Sequence, residues 1–269
     1  MGNKSTASMI NHYNLASLPM LATIRYWWWW ASHDLAYLER IEGTKGLDFD
    51  LVQSIAKDYG IARGIRKEKS DPDGSRNRQR AHIIADAVNR RRDGFTSERS
   101  LTDRFELCLE IVDELNRRSD AAEAITHNDF VSGISKLSWF VAPKSWTMFD
   151  RLAAEAIGVK SGSARDKATR FYQHLDDTGF VKLASDMRSA LPDSDRFYPE
   201  RIVDQYLWLS ASQEENRPLV ITKTAAFLDA IGDEKRTQLL RMAEIIETNF
   251  ATDLAKLIPD THKTSKKNK

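Results

Sequence analysis

The residues best suited to chemistry lie between Val131 and Ala154. This stretch reads as a turn at Gly133, a short helix carrying Lys136 in its first turn, a stop at Pro143, a loop, and a second helix opened by Thr147. The aromatics Trp139, Phe140, Trp146 and Phe149 cluster around it. If the two helix N-termini converge, Lys136 and Asp150 share a partly desolvated pocket beside two positive dipole ends. A desolvated amine is a nucleophile, and a carboxylate offsets a cation developing in front of it. A bland account competes. Thr147 to Asp150 also has the form of a capping box, which contributes about 1 kcal/mol to a helix, and Lys136 is then an ordinary lysine on a short helix.

Gly133, Ile134, Ser135, Lys136, the aromatic-rich short helix, Pro143, and then Trp146, Thr147, Met148, Phe149 and Asp150 leading into a helix carry a resemblance. The pattern is similar to the lysine and aspartate region of the helix-hairpin-helix DNA glycosylase superfamily. More closely, it resembles bacterial proteins described as having an 8-oxoguanine DNA glycosylase fold. The resemblance implies that Lys136 is a Schiff-base lysine attacking C1′ of a nucleotide and that Asp150 is the catalytic aspartate stabilising the oxocarbenium. It further implies an extruded base held between apolar walls, with Trp139, Trp146 and Phe149 as candidates, and a role in DNA repair or phage defence. Two features depart from the family: Ser135 stands where a glycine is usual, and the lysine-to-aspartate spacing is shorter.

Other chemistries find less support. His12, His33, His82, His127, His174 and His262 show no metal-ligand spacing, and there is neither a phosphate-cradling glycine loop nor a nucleophile elbow. The expected reaction is free of metal and cofactor. Cys108 is the single cysteine and falls in the apolar run Phe105, Leu109, Val112. It excludes an internal disulfide and reads as a small buried hydrophobe.

Net charge is +1, but its distribution is uneven. Bases outnumber acids from Arg63 to Arg92, and acids outnumber bases from Asp93 to Asp129. The turn Asp71-Pro72-Asp73-Gly74 would let Arg63, Arg66 and Lys67 flank one bend with Arg76, Arg78 and Arg80, concentrating positive potential for the phosphates of DNA, double- or single-stranded. A solvated loop beside two charged helices is the competing account. Trp27, Trp28, Trp29 and Trp30 sweep through about 300 degrees of a helix at 100 degrees each, so they cannot all face one groove. Most are expected in the core, with one or two available for bases or for a docked protein.

The elements that must position these residues are helical. Apolar spacings of three and four dominate, no alternating strand is evident, and an all-α, multi-helix bundle is expected, of one domain or two closely packed sub-domains. Helices are expected near Leu18 to Ile41, Leu47 to Ile65, Arg76 to Arg92, Leu101 to Arg118, Ile134 to Val141, Met148 to Ile157, Ala164 to Asp177, Pro199 to Leu209, Thr222 to Ile231 and Leu239 to Leu254. The regions divide as 1–95 with the Trp-rich and basic segments, 96–260 with the candidate site, and a basic, disordered tail at 261–269. No apolar run approaches the roughly 20 residues of a bilayer span and no secretory signal is present, so a soluble cytoplasmic chain without membrane contact is expected. Besides the glycosylase, the sequence allows a non-enzymatic helical module, such as a subunit of a defence or toxin assembly, docking through the Trp run.

Overall fold

The computed structural model describes residues 13–29, 33–65, 74–96, 98–117, 130–191, 198–212 and 217–259, and every regular element among them is helical. The described residues form two compact units, and the chain passes between them more than once. The terminal unit takes the described parts of Met1–His33, Asp150–Lys160 and Asp177–Lys269; the central unit takes those of Asp34–Phe149 and Ser161–Asp176. This is not the consecutive division at residue 95. It separates the Trp-rich helix from the basic segment and assigns Lys136 and Asp150 to different units. The tail at 261–269 lies outside the described residues.

In the terminal unit, α1 (Leu18–Trp29) packs against α10 (Pro199–Ala211), α11 (Arg217–Ala230) and α12 (Asp233–Lys256), while α10 also meets α7 (Arg151–Ala156) and α9 (Phe180–Ala190). Polar contacts fix α1 along its length. Tyr13 just before it donates to Asp229 (2.6 Å), Arg25 donates to Gln205 (2.6 Å) and stacks over Trp208 (4.4 Å), and the Tyr26 hydroxyl accepts from the Tyr198 amide (3.1 Å). Glu200, fully buried on α10, accepts from Arg188 of α9 at both oxygens (2.7 Å each), as a carboxylate taken out of water requires.

The central unit comprises α2 (Leu35–Thr44), α3 (Phe49–Asp58), a short 3₁₀ turn (Ala62–Gly64), α4 (Ser75–Asn89), α5 (Leu101–Arg117), α6 (Val131–Val141) and α8 (Ala164–Asp177). Its axis is α6, which packs against α2, α3, α4 and α5 and buries every residue except Ser132. A helix buried on nearly every side has almost no solvent face. Its one lysine is therefore in the interior.

Several expected boundaries shift, each for a local reason. Of the helix expected from Leu18 to Ile41, Leu18–Trp29 and Leu35–Thr44 are seen, residues 30–32 between them lying outside the described residues, and Lys45, left-handed at φ 58°, ends the second stretch a few residues beyond the expected boundary. The helix Phe180–Ala190 has no counterpart among the expected elements, although Phe180, Leu183, Ala184 and Met187 form its buried stripe; Gly179 at φ 75° turns the chain out of α8 and into it. The N-terminus of α5 is capped twice. Ser100 accepts from the Asp103 amide (3.0 Å), and Asp176 accepts from the Leu101 (2.8 Å) and Thr102 (2.9 Å) amides.

Candidate functional site

Lys136 sits in the middle of α6, not in the first turn of a helix starting after Gly133, and is 9% exposed. It is the one buried lysine among the described residues. Gly133 is a helical residue of the first turn, and no turn interrupts the helix there.

Around Lys136, α6 grips the loop that follows it. The Ser132 hydroxyl donates to the Phe149 carbonyl (3.0 Å) and the Ser135 hydroxyl accepts from the Phe149 amide (3.1 Å), so both sides of one residue are held. The Trp146 indole donates to the Ser135 carbonyl (3.3 Å). Ser132, Ser135 and Lys136 stand three and four residues apart and so share a face. The Ser135 hydroxyl thus ties down the short loop. Neither serine stands out in the sequence as a site residue; spacing from Lys136 is the signal that could have found them.

Arg104 holds the loop from the other side. It is fully buried on α5; its guanidinium donates to the carbonyls of Arg99 (3.0 Å) and Lys144 (3.4 Å) and also to that of Ser145, a left-handed residue at φ 57°. Five donors in a rigid fork suit such a cluster of carbonyls. The Tyr172 hydroxyl of α8 completes the clamp on the Thr147 carbonyl (2.9 Å).

The aromatics expected to wall a base pocket are inside this packing. Trp146 stacks on Tyr172 with centroids 4.7 Å apart and planes 10° apart, Trp139 meets Phe140 edge-on at 5.0 Å, and Phe149 meets Phe171 at 5.6 Å. All are buried. In this arrangement they are packed in the interior of the central unit.

The loop delivers Asp150, which opens α7 of the terminal unit. Here the expected capping box is corrected. Asp150 itself is the N-cap, with extended backbone (φ −129°, ψ 141°) and Oδ1 accepting from the Leu152 amide (2.9 Å). Thr147 lies before the helix, buried, and its hydroxyl makes no hydrogen bond.

No protein-family model, curated protein or solved structure matches this chain.

The basic residues of the central unit do not make one stripe. Arg63 is exposed on the 3₁₀ turn, and Arg76 and Arg78 are exposed near the start of α4 with Arg80 half-buried; Arg66 and Lys67 lie outside the described residues. At 100 degrees per residue Arg76 and Arg80 align, while Arg78 points some 200 degrees away and lies over the Phe49 ring (5.1 Å). The charge segregation is also partly neutralised within the fold. Arg90 and Arg91, just after α4, pair with Glu114 of α5 at 2.6 and 2.8 Å.

In the Trp run, Trp27 and Trp28 are half-buried, Trp28 stacking on Phe227 at 6.1 Å; the buried aromatic beside them is Tyr26. The Trp29 side chain and Trp30 lie outside the described residues. Cys108 is buried on α5, and desolvation pushes its thiol up to about 12, which makes it an inert hydrophobe. Among the described residues no cluster of His, Cys, Asp or Glu is arranged to hold a metal, and no helix is long and apolar enough to cross a membrane.

Proposed function

We propose that this chain is a DNA glycosylase-like protein that excises a damaged or modified base through Lys136. The observation supporting this reading is the buried lysine on α6, one face of which also carries the two serines that hold the peptide leading into Asp150. In the proposed reaction the unprotonated Nζ donates its electron pair to C1′ as the N-glycosidic bond breaks. The bond electrons leave with the base, which takes up a proton, and Nζ gives up one. The sugar ring then opens to an imine. Asp150 supplies the negative charge that offsets the oxocarbenium.

The test is borohydride trapping on duplexes carrying abasic, oxidised, alkylated or deaminated positions. A covalent adduct is expected with the native chain and none with Lys136→Gln. Asp150→Asn keeps an oxygen for the Leu152 amide, so stability should stay within about 1 kcal/mol while base release slows sharply. Absence of both adduct and base release on every substrate would remove the enzyme reading.

On the same reading, the exposed end of α4 meets the DNA backbone. Replacing Arg76 and Arg80 with alanine should flatten the log-log dependence of DNA affinity on salt by about 0.9 for each phosphate that is no longer neutralised. A salt titration giving the native slope would detach that face from the interface.

A further inference from the structure

One cavity in the central unit belongs to none of the machinery described above. It lies between α3 and α4, has a volume of about 600 Å³, and is lined by Phe49, Gln53 and Lys57 from α3 and by Asn77 and Arg78 from α4, among others. A space of this size with an apolar wall and a few convergent polar groups is typical of small-ligand sites.

Its chemistry is specific in three respects. Among the described residues that line it, two are cations, Lys57 and Arg78, and none is an acid, a lining that suits an anion. Phe49 is half-buried and presents a ring, already in contact with the Arg78 guanidinium at 5.1 Å and with His82 at 5.1 Å, on which a planar group can stack. Gln53 and Asn77 bring amides from two different helices, and an amide pairs with both a donor and an acceptor on the edge of a base.

We infer that the groove between α3 and α4 binds a nucleoside phosphate, with the base against Phe49 and the phosphate on Lys57 and Arg78. Sugar phosphates and inorganic phosphate would use the cations but not the ring or the amides. The inference goes beyond the excision reading and does not depend on Lys136, which is not among the residues lining the groove. The ligand has two sources of the same chemistry, a free nucleotide or a nucleotide within a strand.

Calorimetric titration of the full chain separates these possibilities, using the four deoxynucleoside monophosphates, inorganic phosphate and a single-stranded oligonucleotide. A monophosphate is expected to bind. Phe49→Leu should weaken it about tenfold, the order expected for losing one base stack, while leaving inorganic phosphate unaffected. Arg78→Gln should weaken both. An oligonucleotide that displaces the monophosphate identifies a strand as the source; one that does not compete identifies the free nucleotide. Either result supports the site. Absence of heat from every nucleotide and oligonucleotide at millimolar concentration, or native affinity in both variants with native circular dichroism, would overturn it. Trapping is not read in this experiment, so its failure leaves the Lys136 reading untouched.

Discussion

Arg104→Met should destabilise the central unit by about 1.5–3 kcal/mol, because it takes a buried guanidinium's hydrogen bonds from carbonyls on two chain segments, and hydrogen bonds to a charged group contribute about that much. The carbonyls are those of Arg99, before α5, and of Lys144 and Ser145, in the loop that α6 grips. Methionine fills most of the volume, so the loss reports hydrogen bonding and not a cavity. Arg104→Lys should recover little of it, since one ammonium cannot span carbonyls that a planar fork reaches together. Urea denaturation followed by far-ultraviolet circular dichroism measures both. A shift of under about 1 kcal/mol for the methionine variant would mean that water takes over the carbonyls and that the guanidinium is not what closes the loop.

Gly133→Ala should also destabilise, by about 1–3 kcal/mol, although alanine is the better helix former by about 1 kcal/mol. A Cβ at Gly133 would stand 2.2 Å from the Phe130 ring, and a Cβ at Gly64 would stand 2.2 Å from the same ring. Phe130 is buried and confined from both sides, so it cannot swing clear. The sign of the effect therefore depends on Phe130. In a Phe130→Leu background the cost of Gly133→Ala should shrink, giving a coupling of about 0.5–3 kcal/mol in a double-mutant cycle. Additive costs would place the strain elsewhere. The pair also accounts for Gly133 without catalysis: the first glycine of the glycosylase-like pattern makes room for an aromatic ring.

Much of the helical class is legible in the sequence because it rests on local periodicity. What is not legible rests on contacts distant in sequence. Arg104 falls on the stripe Leu101, Phe105, Cys108, Ile111 and Val112, so its burial is signalled by position, yet two of its partners, Lys144 and Ser145, lie beyond α6 and no local pattern names them. Asp176 resembles any surface acid until it is seen at the N-terminus of α5, far upstream. The helix start at Asp150 differs from the expected one because Thr147 and Asp150 satisfy the spacing of a capping box, and the choice between them is made by the tertiary hold on Phe149. Of the basic residues, sequence indicates the cluster but not its geometry: helical rotation sends Arg78 to the α3–α4 groove and Arg76 with Arg80 to another face. The groove itself is assembled from short stretches of two helices and has no contiguous signature.

The pairing of α1 with α10, α11 and α12 sets a timetable for synthesis. At about 5–20 residues per second, a ribosome needs roughly 11 to 45 seconds to travel from Trp29 to Lys256. For most of that interval, before α10 emerges, Met20, Leu21, Ile24 and Tyr26 lack the partners that bury them. The central unit has no such wait, since its last segment ends at Asp176. A nascent chain stalled between these points therefore carries a finished middle and an orphaned, tryptophan-flanked leading helix, the kind of exposed apolar stretch that chaperones hold and proteases cut.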